Sequence, residues 1–150
     1  MSADEIVPAL EKVDLFHGLD PKAVRRLADA GRVETFTPDE VVLARGEDVG
    51  GWRAFSPKGV EFHIVLTGSA TVTVNEAHHG SLGPGDYFGE LSLIDGEPRS
   101  ADIAAGTDGL TTFAISKWQF EELLEEHPHI AISMLRVLTA RLRAAERAAG

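Results

Sequence analysis

Two charged residues in the middle of the chain, Glu90 and Arg99, have the chemistry needed to hold a sugar phosphate. They lie nine residues apart around a short apolar turn. A carboxylate accepts hydrogen bonds from sugar hydroxyls, whereas a planar guanidinium donates paired, charge-assisted bonds to phosphate oxygens. The alternative is a surface Glu–Arg pair on a β-turn, which would contribute little. The pair therefore predicts a pocket that contacts both the sugar and the phosphate of a nucleotide.

The segment that carries this pair resembles the phosphate-binding cassette of the cyclic nucleotide-binding domain family. That family includes bacterial catabolite activators, regulatory subunits of protein kinase A and cyclic-nucleotide-gated channels. The match consists of two motifs, Phe88-Gly89-Glu90-Leu91 and Pro98-Arg99-Ser100-Ala101. The first motif alone would be common by chance, but the second at the family's spacing makes the resemblance specific.

The resemblance implies a role for each matching residue. Glu90 would bind the ribose 2′-hydroxyl, Arg99 the cyclic phosphate, and the Ser100 hydroxyl would assist there or touch the base. Gly89 would allow close backbone approach, since it has no Cβ, and Arg141 on the final helix would brace Glu90 as an arginine does in the catabolite activators. The other predicted ligand-binding residues are Phe88, Leu91, Ser92, Pro98 and Ala101.

The ligand implied by the resemblance is cAMP, with cGMP as the alternative. Catabolite activators read adenine with hydroxyl residues one turn past their bracing arginine, whereas Ala145 and Glu146 stand at those places here. The preference for cAMP therefore follows the frequency of that ligand in the family and not the chemistry of these residues.

Bulk composition predicts a cytoplasmic protein that does not bind nucleic acid or membranes. The chain has 14 Lys and Arg against 24 Asp and Glu, and its net charge of −10 opposes attraction to nucleic acid or anionic lipid. The absence of cysteine excludes disulfides, thiolate metal sites and cysteine nucleophiles. No apolar run approaches the roughly 20 residues that span a bilayer, and the first residues do not read as a secretion signal.

Three zones of the sequence predict one α+β domain over residues 1–150. Helix-start signals predict N-terminal helices in residues 1–31. A period of two over residues 32–115 predicts an antiparallel, jelly-roll-like β-roll of about eight strands, with a short helix in the cassette at 88–101. Residues 116–150 predict two C-terminal helices, which separate at His127-Pro128 because the residue before a proline avoids the helical region.

Local signals refine these zones. Ser2 with Glu5, and Ser116 with Gln119, are capping-box patterns that predict helix starts. Within the roll, Thr67-Gly68-Ser69 and Gly106-Thr107-Asp108-Gly109 predict the turns of two hairpins. Relative to the family pattern, the chain has about nine extra residues at 51–59. This insertion is predicted to form a loop or longer hairpin, with Trp52 and Phe55 packed at the core edge or forming a docking surface.

These features predict a regulatory sensor and not an enzyme. Cyclic nucleotide occupancy would be relayed through the C-terminal helices to a protein effector in trans, and the apolar stripe of the final helix could also pair with a second copy. The alternative is a degenerate member that keeps the fold as a ligand-independent interaction module. No cofactor and no metal site are predicted, because a cupin-like centre needs two or three histidines in one barrel and only His63 lies in a clear strand.

Overall fold

A computed structural model of the chain describes residues 2–46, 61–74 and 77–149. The insertion predicted at 51–59 lies outside these residues. In chain order the elements are α1 (Ala3–Glu11), a 3₁₀ turn (Asp14–Phe16), α2 (Pro21–Ala30), β1 (Arg32–Phe36), β2 (Val41–Leu43), β3 (Glu61–Val74), β4 (Ala77–Leu82), β5 (Tyr87–Phe88), α3 (Glu90–Asp95), β6 (Asp102–Ser116), α4 (Lys117–Glu126) and α5 (Pro128–Ala149). The α+β architecture predicted from the sequence is confirmed.

The six strands form one antiparallel sheet in which β6 is the central element. β3 pairs with β6 along nearly its whole length, from Glu61 opposite Ser116 to Thr73 opposite Asp102. β1 and β2 pair with β6 on its other side, whereas β4 and β5 pair with β3. This arrangement places the short strand β5, and the cassette that follows it, beside the start of β3.

The prediction of two hairpins at glycine-rich turns is wrong, which also explains why about eight strands were expected and six are described. Both segments lie within single long strands, β3 and β6, which bend at the same place. Gly68 and Gly109 each have a φ of about 80°, and a Cβ on Gly68 would collide with the carbonyl oxygen of Gly109. In the pairing of β3 with β6, residues 106–109 lie opposite Ser69 alone. The segment 106–109, which was predicted to be a turn, is therefore a bulge in β6.

The two faces of the sheet bury separate apolar clusters. On the outer face Phe62, Ile64 and Phe113 pack against the N-terminal helices, α4 and the start of α5. Inside the roll Val65, Phe88 and other apolar side chains from β2, β3 and β6 form a second cluster. The cassette joins the two, because Phe88 belongs to the inner cluster and Leu93 of α3 to the outer one.

The helix ends follow the sequence signals with one exception. Ser116 and Gln119 form a reciprocal capping box at the start of α4, and α4 ends one residue before His127 as predicted. At α1, however, the Ser2 side chain makes no capping hydrogen bond, so that predicted box does not form although the helix begins there. None of the described helices is both long enough and apolar enough to cross a membrane.

Candidate functional site

A cavity of about 580 Å³ lies where the cassette, the β3–β4 pair and α5 meet. This volume is typical of small-molecule sites. Nine of the ten predicted ligand-binding residues line it, and only Pro98 does not. The structure therefore brings together residues that the sequence spreads from position 88 to position 141.

The position of the cassette depends on Gly89, which stands between β5 and α3. Its φ of 92° lies in the left-handed region that favours glycine. A Cβ there would lie 2.7 Å from the carbonyl oxygen of Glu61, at the start of β3. The backbone of the cassette thus packs directly on β3, and this contact leaves no room for any side chain at position 89.

Arg99 is a buried wall residue of the cavity, with only 5% of its surface exposed. Its Nη1 donates to the Gly89 carbonyl at 2.8 Å, and its Nη2 donates to the Glu61 carbonyl at 3.3 Å. These bonds fix the plane of the guanidinium relative to both the cassette and β3. The planar guanidinium is of the kind that makes paired, charge-assisted bonds to an anion.

Glu90, at the first turn of α3, is the carboxylate of the cavity and is 4% exposed. Its Oε1 lies 3.3 Å from Nη1 of Arg141, whose side chain is half exposed. Burial raises the pKa of Glu90, while its own backbone N–H and Arg141 act in the opposite direction. Sugar hydroxyls that donate to this carboxylate would further favour its ionised form.

The remainder of the cavity is largely apolar, and of these residues the sequence analysis had placed only Ala145 near the expected base. The apolar lining comes from four strands and from α5, and consists of Leu43, Val72, Val74, Leu82, Ile103, Leu138, Leu142 and Ala145. Two signals were available: Val72 and Val74 share one face of a strand, and Leu138 and Leu142 share one face of a helix. Together these side chains give the cavity an extensive apolar lining.

The sequence model of the cyclic nucleotide-binding domain family matches residues 33–127 of the chain. The chain belongs to this family. The matched range covers the sheet, the cassette and α4, so the carboxylate and guanidinium of the cavity both lie within it.

Two curated relatives illustrate the range of proteins in which this domain occurs. A cyclic nucleotide-gated potassium channel of Mesorhizobium japonicum is 33% identical over 119 residues, which cover 79% of this chain and 30% of the channel. A cAMP-dependent protein kinase regulatory subunit of Hypocrea atroviridis is 29% identical over 115 residues, which cover 77% of this chain and 22% of that subunit. The chain thus spans less than a third of either relative.

A solved structure supports the same fold. The regulatory domain of Toxoplasma gondii PKA, crystallised with cAMP, superposes with a TM-score of 0.76 at 26% identity and covers 91% of this chain and 50% of its own. The relatives found are regulatory cyclic nucleotide-binding domains, which agrees with the interpretation of this domain as a binding module.

One group of side chains outside the cavity has potential metal-ligand chemistry. Glu34, Glu61 and His63 each place one such atom within 4.8 Å of the others. However, Nη2 of Arg32 lies 2.6 Å from Oε1 of both glutamates, so a guanidinium already bridges the two carboxyl groups. We interpret the group as a partly buried cluster in which one guanidinium holds two carboxyl groups, and not as a metal site.

Proposed function

We propose that this chain is a regulatory module that binds a cyclic nucleotide, cAMP by preference, in the cavity beneath α5. The proposal is carried by one observation: a buried carboxylate, Glu90, and a buried guanidinium, Arg99, line the same cavity. Arg99 would bind the cyclic phosphate, Glu90 the ribose 2′-hydroxyl, and Ser100 would assist at the phosphate or base. The relatives named as cAMP-dependent kinase regulatory subunits support cAMP, whereas those named as cGMP-dependent kinases make cGMP the alternative.

The base would lie against the apolar lining that β3 and α5 supply. Val72 on the sheet and Leu138 and Leu142 on the helix supply apolar surface on two sides of the cavity. Burial of a purine ring against this surface would contribute affinity without hydrogen-bond selectivity, because apolar contacts distinguish related rings only weakly. Discrimination between adenine and guanine is therefore expected to be modest.

Calorimetric titration of nucleotide-stripped protein with cAMP, cGMP and 2′-deoxy-cAMP tests the proposal. We expect micromolar or tighter binding of cAMP and a Kd for cGMP within about tenfold of that value. 2′-Deoxy-cAMP is expected to bind about tenfold more weakly, since Glu90 would lose its hydroxyl donor. The absence of heat with all three nucleotides would contradict the proposal and favour the ligand-independent interaction module.

We further propose that occupancy is relayed through α5 to a protein effector or to a second copy of the chain. Arg141 and Leu142 line the cavity, while Ile132 and Leu135 of the same helix are exposed apolar residues. A ligand that contacts one part of this helix would shift the population of its positions and so alter the exposed part. Amide hydrogen exchange of residues 128–149 is expected to slow on saturation with cAMP, and unchanged exchange there would contradict the relay.

A further inference from the structure

A polar cluster occupies one end of the inner face of the sheet, where Glu61 and His63 are buried and Arg32 and Glu34 are partly buried. Arg32 and Glu34 of β1 meet Glu61 of β3 there, and the Arg32 guanidinium contacts both carboxyl groups. On the same side His63 Nδ1 lies 3.0 Å from the Thr112 hydroxyl. Burial of ionisable groups is costly, so such a cluster requires a compensating arrangement or a function.

This cluster is joined to the candidate site through two contacts. Glu61 takes part in both: its side chain lies in the cluster, while its carbonyl oxygen accepts the hydrogen bond from Arg99. His63 stacks on Phe88, with ring centroids 4.9 Å apart and planes within 9°. Because Phe88 directly precedes Gly89, a change at the start of β3 would move both the cassette and its arginine.

The protonation state of the cluster can change near neutral pH. Burial, followed by repulsion from Glu34, raises the pKa of Glu61 to about 8, although Arg32 and Arg99 act in the opposite direction. Burial lowers the pKa of His63 to about 4, so this ring is neutral at pH 7. The charged and titratable groups that face Glu61 thus come from three segments: Arg32 and Glu34 from β1, His63 from β3 itself, and Arg99 from the segment after α3. Above pH 8 the cluster gains one negative charge close to Arg99.

We propose that Glu61 is a positioning residue for Arg99, and that the site binds its anionic ligand tightly only while the Glu61 carboxyl group carries a proton. The inference rests on the proposed function. Its physical basis is that an ionised Glu61 carboxylate would be a buried negative charge near Arg99, in addition to the charge of the ligand. This carboxylate would compete with the ligand phosphate for the guanidinium and would strain the start of β3. Ligand binding and proton binding are then mutually reinforcing, as linkage requires.

The test is the pH dependence of cAMP affinity in the wild type and in the Glu61→Gln variant. Between pH 7 and pH 9 the Kd of the wild type is expected to rise about tenfold, since one linked proton changes Kd by at most tenfold per pH unit. Glu61→Gln, a neutral substitute of similar shape, is expected to bind cAMP with little change across this range. Glu125→Gln, which removes an exposed charge on α4, is the matched control and should follow the wild type.

A second readout does not require the ligand. Because the folded pKa of Glu61 lies above the ordinary value of 4.5, the unfolded state releases its proton first, and this group lowers stability as the pH rises from about 4.5 to 8. Urea unfolding should show that decline in the wild type relative to Glu61→Gln. Equal pH profiles of stability, or equal pH profiles of Kd, would overturn the coupling and leave the proposed function standing. No cAMP binding at any pH would overturn both.

Discussion

Replacement of Arg99 with alanine is expected to weaken cAMP binding by at least about 100-fold, equivalent to about 3 kcal/mol. The cyclic phosphate would then face a partly dry cavity without its charged donor. Arg99→Lys should recover only part of the loss, because a single ammonium cannot reproduce the planar, paired bonds of the guanidinium. Calorimetric titration of both variants beside the wild type measures these differences.

Two controls separate this loss from a general effect on the protein. Arg136→Ala removes one positive charge from an exposed position on α5, and its Kd should stay within about twofold of the wild type. Arg99 also holds the carbonyl groups of Gly89 and Glu61, so thermal unfolding of Arg99→Ala should show a modest loss of stability. Wild-type affinity in a folded Arg99→Ala variant would show that another residue binds the phosphate.

Replacement of Gly89 with alanine is expected to damage both stability and binding. Its φ of 92° disfavours any L side chain, and the new Cβ would lie 2.7 Å from the carbonyl oxygen of Glu61. Because the backbone fixes the position of the Cβ and its partner is a backbone oxygen, relief requires the cassette to move away from β3, which displaces Glu90 and Arg99. We expect a loss of about 3 kcal/mol or more in the free energy of unfolding, and a Tm lower by roughly 10 °C.

Gly96 at the other end of α3 provides the matched control for this variant. It has a similar φ of 74°, but a Cβ there would meet nothing within 4 Å. Gly96→Ala should therefore cost only the backbone strain, about 1 kcal/mol, and should leave cAMP affinity nearly unchanged. Equal effects of the two substitutions would mean that the contact between the cassette and β3 does not hold the site in place.

The cassette could be predicted from the sequence because its geometry is locally encoded. Gly89, Glu90 and Arg99 lie within one short segment, and the spacing of the motifs is itself the signal. The Arg141–Glu90 contact was expected from the family resemblance, and the structure places the two side chains 3.3 Å apart. A contact between two residues so distant in the sequence can be predicted only where the family resemblance supplies it.

The errors came from features that depend on distant parts of the chain. Considered alone, Gly68 and Gly109 each indicated a turn. In the structure they lie on the paired strands β3 and β6, at a bend that both strands share. Whether a glycine reverses a strand or kinks it depends on its partner, which local sequence does not identify. Glu61 was overlooked for the same reason, since in the sequence it is an ordinary strand residue. Its contacts are with Arg32, 29 positions before it, and with Arg99, 38 positions after it, and only the fold brings these residues together.

The central position of β6 has a consequence for how the chain folds. Among the described residues β1 and β2 pair with no strand except β6, which lies more than 50 positions further along the chain. These pairings of β1 and β2 therefore cannot form until β6 has been synthesised, and the entropy cost of closing such long loops slows folding. During synthesis the unpaired edges of β1 and β2 can associate with other chains, so this topology exposes the nascent chain to aggregation.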